Sequence, residues 1–344
     1  MGNEIKWLGS GRKVWEDHPE LFHYTNRSGL EGILKRQTLF ATHYAHLNDQ
    51  EEIIGFRRAL KNILVPQLQS TVEAWVREGK ADAETLREAG GILRNCNIEI
   101  DTLVDILNEG LIDDGSNKGI VVPYIFSFCS HTHDSRRSQD GLLSQWRGYA
   151  KDGGFAIVFE TKKLEPLLNR EAEERNYFPL GWGDVIYHGD EKKLRKELGD
   201  QVNIIKDLLM RLAQARAFKT EVPVPELIET VAYAVCIALY KHIGFAEENE
   251  VRIYAYRPCD RVYKLSKAVG AVQPQAEIHK NKHGKPYIEL FRNFREPLPI
   301  KRIIVGPQRN KEKVAQELRK DSRLRDIVSV SGIPYIEQSW GEDN

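Results

Sequence analysis

Ile120-Val121-Val122-Pro123-Tyr124-Ile125-Phe126-Ser127-Phe128-Cys129 is dense in β-branched and aromatic side chains and reads as a strand. Two further runs join it. Phe155 to Phe159, after the glycine pair Gly153-Gly154, is a second buried strand. Glu250 to Tyr256 alternates, which predicts a third strand with Val251, Ile253 and Ala255 on the core side. Shorter strands are predicted over 21–25, 39–42, 287–292 and 300–305, with a last one over 328–330 or 334–336.

Helical spacing fills the gaps. Residues 51–111 form one block, with Asp49 as its cap, Glu51 and Glu52 in the first turn, and Ile53, Leu60, Ile63 and Leu64 following. Residues 191–244 form another, in which Val202, Ile205, Leu208, Leu209 and Leu212 share a face. Pro225 suits a helix start and Gly244 a stop. A short helix is predicted over 142–150, a basic amphipathic one over 310–322, and a polar loop over 130–141. Strands at both ends and in the middle, with helices inserted, predict one α+β domain over residues 1–344.

Composition narrows the function. The 344 residues carry 50 Lys and Arg against 50 Asp and Glu, so bulk positive charge is no basis for nucleic-acid binding. Cys96, Cys129, Cys236 and Cys259 lie far apart, which excludes a C-x-x-C motif and fits reduced thiols in a cytoplasmic protein. Met1 to Trp7 holds no long apolar run, so no signal peptide is expected, and no stretch is apolar enough for a membrane span. Walker, G-x-G-x-x-G and G-x-S-x-G motifs are missing. His131, His133 and Asp134 lack a fourth partner, as do His43 and His46, so no metal site is expected. Cys129 has no evident base beside it.

Three constellations could carry chemistry. His23 and Thr25 fall on one face of a short strand and could hydrogen-bond a sugar or an amide; the plain alternative is a buried histidine held by a backbone carbonyl. Glu248, Glu250 and Arg252 fall on one face at period two, where close carboxylates repel and an arginine pulls the other way; the alternative is a surface ladder of ion pairs. Ser127 alternates with Phe126 and Phe128, while Trp146 and Tyr149 share a helix face and could hold a flat ring or simply fill a core.

The order of these pieces resembles a bacterial family known as domain of unknown function 2971. The pieces are His23-Tyr24-Thr25, the Leu30 to Leu34 helix, Asn48-Asp49 with Glu52, Phe126-Ser127, Trp146-x-x-Tyr149, Gly154 to Phe159, Lys241, and Glu248-x-Glu250-x-Arg252. More distantly, His23-x-Thr25, then Ser127 or Tyr149, then Glu248-x-Glu250 resembles the three motifs of ADP-ribosyltransferases. That second resemblance implies a split, mostly antiparallel β core that takes NAD as substrate and moves ADP-ribose to an acceptor. It implies Glu250 as the catalytic carboxylate, assisted by Glu248 and His23. It implies His23, Tyr24, Thr25, Ser127, Trp146, Tyr149 and Arg252 around NAD, and no metal. It also fits a toxin or phage-defence effector with an antitoxin or defence-system partner and an acceptor that is protein or nucleic acid. The rival expectation is a non-catalytic module that binds a nucleotide, nucleic acid or protein, suggested by the basic residues Lys311, Lys313, Arg319, Lys320, Arg323 and Arg325.

Overall fold

A computed structural model describes residues 13–47, 52–114, 118–150, 154–270 and 272–334. Asn48, Asp49 and Glu51, expected to turn and cap the first helical block, lie outside these residues, as do 335–336 of the alternative last strand. In chain order the elements are α1 (Val14–Asp17), β1 (Glu20–Thr25), α2 (Arg27–Arg36), β2 (Leu39–His43), α3 (Glu52–Arg77), α4 (Ala83–Glu88), α5 (Ile92–Leu111) and β3 (Val121–Cys129). There follow α6 (Ser135–Asp140), α7 (Leu143–Tyr149), β4 (Phe155–Glu160), α8 (Thr161–Glu174), β5 (Leu180–Asp184), β6 (Ile186–Tyr187), α9 (Glu191–Ala217), α10 (Leu227–Ala238) and β7 (Tyr240–Lys241). The chain continues with β8 (Glu250–Pro258), α11 (Asp260–Val269), β9 (Ile278–Lys280), β10 (Pro286–Leu290), β11 (Ile300–Val305), α12 (Lys311–Leu318) and β12 (Val328–Val330).

The fold is mixed α and β around a mostly antiparallel sheet. The main path runs β12-β11-β4-β1-β3-β2-β10-β9, with β8 on the far edge of β3 and β5 beyond it. Strand β3 is the branch point. One edge carries β8 along its whole length, from Val121↔Pro258 to Cys129↔Glu250. Its other edge is shared: β1 meets it at Phe22↔Cys129, while β2 meets it at Thr42↔Ile125 and His43↔Tyr124. Between those two points the sheet splits, and α2 bridges the gap from the end of β1 to the start of β2.

Alternation on β3 and β8 assigns each face its core. Val121, Ile125, Tyr254 and Tyr256 face the two helical blocks and join Leu60, Leu64, Ile100, Leu103, Ile205, Leu209 and nearly all of α10. Tyr124, Phe126, Phe128, Val251, Ile253 and Ala255 face the other way, against α2, α8 and α12. Helix α5 buries Cys96, Ile100, Leu103, Val104 and Leu111, the spacing of one helix face. Helix α10 is buried on every side from Val231 to Ala238, so it reads as a core helix rather than an amphipathic one.

Several expectations need correction. The second helical block ends at Ala238, because Tyr240–Lys241 pairs in parallel with Ile186–Tyr187. Gly244 is therefore not a helix stop; it lies in a 3-10 turn over Ile243–Glu248. Residues 135–140 are helical, started by the Asp134 side chain, which accepts from the Arg136 and Arg137 amides. The strand expected over 287–292 stops at Leu290, since Phe291 turns to φ 65°. The basic helix spans 311–318 only. Helix α8 and strand β5 had no forecast.

Candidate functional site

The site grows from the start of β8. Glu250 and Arg252, two residues apart, share a face with Cys129 and Ser127, their partners on β3. Glu248 precedes the strand, in the 3-10 turn, and Asn249 at φ 43° separates it from Glu250. Strict alternation therefore does not link Glu248 to the other two; Lys241 does. Its Nζ lies 2.7 Å from Glu248 Oε2 and 2.7 Å from Glu250 Oε2. Arg252 Nε donates to Glu250 Oε1 at 2.7 Å, and Arg252 Nη1 to the Ala238 carbonyl at 2.9 Å. Tyr149 donates its hydroxyl to Glu248 Oε1 at 3.0 Å. The Glu250 amide donates to Tyr187 Oη at 2.8 Å.

This is not a surface ladder. Glu250 is 3% exposed, Arg252 1% and Lys241 4%. Burial alone would raise the Glu250 carboxyl, but Arg252 and Lys241 outweigh it and hold it at about 2. Burial lowers Lys241, yet Glu250 and Glu248 bring it above the ordinary lysine range. Burial, reinforced by Glu248 and Glu250, raises the Cys129 thiol, whose Sγ lies 3.2 Å from Gln145 Oε1. A thiol so raised is a poor nucleophile.

A cavity of about 500 Å³ opens onto this cluster at the split in the sheet. Ser127, Tyr149, Lys241, Glu250 and Arg252 form one end. The start of α2, through Asn26, Ser28 and Gly29, forms a side wall with Thr42. Arg36, Phe40, Asn281, Lys285 and Tyr287 form the other end. The volume is in the range of small-molecule pockets. Among the described residues no cluster of three His, Cys, Asp or Glu could hold a metal ion.

The remaining candidates are placed differently. His23 lies on the opposite face of the sheet from Glu250, stacked on Phe126 at 4.3 Å between ring centroids. Its Nδ1–H donates to the Ser127 carbonyl at 3.0 Å, within the stretch that neither β1 nor β2 pairs. The ring thus takes the place of a missing ladder bond. Burial outweighs that bond and lowers its pKa to about 4, so it is neutral at pH 7. Thr25 Oγ1 sits over Gly29, only 2.0 Å from where a Cβ would stand there. Tyr24 and Trp146 pack edge to face at 4.8 Å inside a buried cluster with Phe22 and Cys129. The Leu142 amide donates to Tyr24 Oη at 2.8 Å, and Tyr24 in turn lies 2.8 Å from His131 Nε2. Trp146 Nε1 donates to the Asp140 carbonyl at 3.0 Å. Of the nine candidates, Ser127, Tyr149, Glu250 and Arg252 line the cavity, and Glu248 reaches it through Tyr149 and Lys241.

The cavity also contains residues to which no motif assigned a role. Lys241 was part of the family pattern without a role. Arg36, Phe40, Lys285 and Tyr287 carried no local signal, because Phe40 and Tyr287 meet only through the β2–β10 pairing, which also brings the end of α2 with Arg36 and the β9–β10 turn with Lys285 to the split.

The sequence profile of the family described as Protein of unknown function (DUF2971) matches residues 145–253. The matched stretch runs from Gln145 through Trp146, Tyr149 and Lys241 to Glu248, Glu250 and Arg252, which supports the family resemblance over the acidic end of the cavity. No curated protein and no solved structure matches the chain.

Among the described residues no helix is long and apolar enough to cross a membrane, and all four cysteines are buried and unbridged.

Proposed function

We propose that the cavity binds NAD as a substrate and that the protein is an ADP-ribosyltransferase-like enzyme. The observation that carries this is the meeting of Ser127, Tyr149 and Glu250 in one cavity of about 500 Å³ at the split of an antiparallel sheet. In the reaction the bond between nicotinamide and ribose C1′ breaks, and nicotinamide leaves with the bonding pair. Positive charge develops on the ribose. The acceptor adds its lone pair to C1′ and loses a proton; water in that role gives free ADP-ribose.

A carboxylate helps where that charge appears. Glu250 is anionic throughout the physiological range, and Arg252 and Lys241 fix its direction. The cluster sets two carboxylates against two cations, so its formal charge is zero and it does not oppose the developing cation. Glu248, the more exposed carboxylate, would take the acceptor's proton once an acceptor displaces the Tyr149 hydroxyl from Oε1. Tyr149, which lines the cavity, offers an aromatic ring to nicotinamide. His23 contributes by holding the Ser127 backbone rather than by touching ligand.

One observation favours a second reading. Both oxygens of Glu250 already accept hydrogen bonds, which suits a nucleotide-binding module that leaves its ligand intact. The two readings separate in one experiment. Calorimetric titration with NAD is paired with chromatography of the reaction for nicotinamide. The enzyme reading expects binding and release, with release reduced at least tenfold in Glu248→Gln and in Tyr149→Phe. Binding without release selects the module, and no binding at millimolar NAD removes the enzyme reading.

A further inference from the structure

The cavity's two ends differ in where positive charge is left over. At the acidic end, the carboxylates of Glu248 and Glu250 occupy Lys241 and Arg252. At the far end, Lys285 forms no ion pair among the described residues. Arg36 is anchored there by Nη1 alone, which reaches both Glu289 Oε1 and the Tyr287 hydroxyl. Its side chain is 51% exposed and lines the cavity, and no hydrogen bond among the described residues uses its Nε or Nη2. Two aromatic rings flank the cations: Phe40 and Tyr287 meet edge to face at 5.4 Å, and Arg36 lies 5.8 Å over Phe40.

The hairpin that carries Lys285 is built rather than loose. Strand β10 pairs with β2 from Tyr287↔Thr42 to Leu290↔Leu39 and with β9 on its other side. Within the turn, the Asn281 side chain accepts from the His283 and Lys285 amides at 2.9 and 3.1 Å, and Gly284 takes φ 77°. Lys285 therefore enters the cavity from a fixed base.

We infer that this hairpin end is a phosphate-binding subsite, with Lys285 and Arg36 holding the diphosphate of a nucleotide. The inference rests on the cavity being a nucleotide site, but not on any bond being cleaved. A diphosphate brought in with the opposite polarity would face Glu248 and Glu250, whereas at the hairpin it meets Lys285, which forms no ion pair among the described residues, and Arg36, which holds Glu289 through Nη1 only. Phe40 and Tyr287 then flank the same end of the nucleotide.

ADP, AMP and adenosine are titrated separately by calorimetry into the wild-type protein and into Lys285→Ala and Lys285→Gln. Lys285 is exposed in a turn, and both variants are expected to keep the wild-type circular dichroism and thermal midpoint. The expected result is ADP binding at least tenfold tighter than adenosine, a tenfold or larger loss of ADP affinity in both variants, and adenosine affinity unchanged. Equal binding of ADP and adenosine, no ADP binding at millimolar concentration, or an unchanged ADP affinity in folded variants would overturn it. Loss of ADP affinity in the variants while NAD stays intact supports the subsite and removes the transferase chemistry. NAD cleavage with an unchanged KM in Lys285→Ala keeps the chemistry and removes the subsite.

Discussion

Glu250 is the residue on which the site turns, and its charge has a measurable cost. Its folded pKa, about 2, is below the ordinary 4.5 because Arg252 and Lys241 outweigh burial. The stabilisation is complete above pH 4.5 and is lost as pH falls through about 2. Glu250→Gln leaves two buried cations without that carboxylate and is expected to cost about 3–5 kcal/mol at pH 7. Its stability should also vary less than the wild type's between pH 4.5 and about 2, as urea unfolding would record. An unchanged urea midpoint would mean that the ion-pair cluster contributes nothing. His23 acts in the same sense, though there it is the neutral form that the fold favours. Its folded pKa of about 4 lies below 6.5, so the unfolded chain takes up a proton first. Stability is full above pH 6.5 and falls toward pH 4, with about 2 kcal/mol lost by pH 5 from this one group. His23→Asn should show a smaller difference between unfolding free energies at pH 7 and pH 5 than the wild type. The shared face of Glu250 and Arg252 was legible from period two alone. That the face was buried was not, because burial depends on β7 and α10, which are distant in sequence.

At the scale of elements, α2 sets the shape of the cavity wall. Asn26 caps it by accepting from the Gly29 amide at 2.9 Å, and Gly29 lets the first turn sit directly on Thr25. A Cβ at Gly29 would stand 2.0 Å from Thr25 Oγ1, so either that hydroxyl or the helix must move. Gly29→Ala is expected to lower stability by about 1–3 kcal/mol and to weaken ligand binding, checked by thermal unfolding and by the NAD titration. Wild-type values for both would show that the helix start tolerates displacement. Strands β3, β4 and β8 were legible because each is a long β-branched and aromatic run. Helix α8 was not, since it carries Pro166 and a charged face. Strand β5 was hidden by its two glycines in Leu180-Gly181-Trp182-Gly183-Asp184, which lower its strand signal. Glu248 was read on the strand because its spacing matched, and the αL residue Asn249 broke that register.

Across the whole molecule, the balance of 50 acidic and 50 basic residues conceals separate uses of charge. Much of the C-terminal basic region serves local structure. Lys311 Nζ donates to the Ser331 and Ile333 carbonyls, Arg319 to the Val328 carbonyl, and Arg323 pairs with Asp321. The acidic charge of Glu248 and Glu250 is matched in place, and Arg36 and Lys285 line the far end of the cavity. None of this follows from composition, because it depends on a split that topology creates between β1 and β2. The most direct measurement of the central claim is the time course of nicotinamide release from millimolar NAD by the purified protein, quantified against enzyme concentration. The account predicts nicotinamide in excess of enzyme, reduced at least tenfold in Glu248→Gln and Tyr149→Phe. NAD that remains intact in the presence of folded, NAD-binding protein would contradict it.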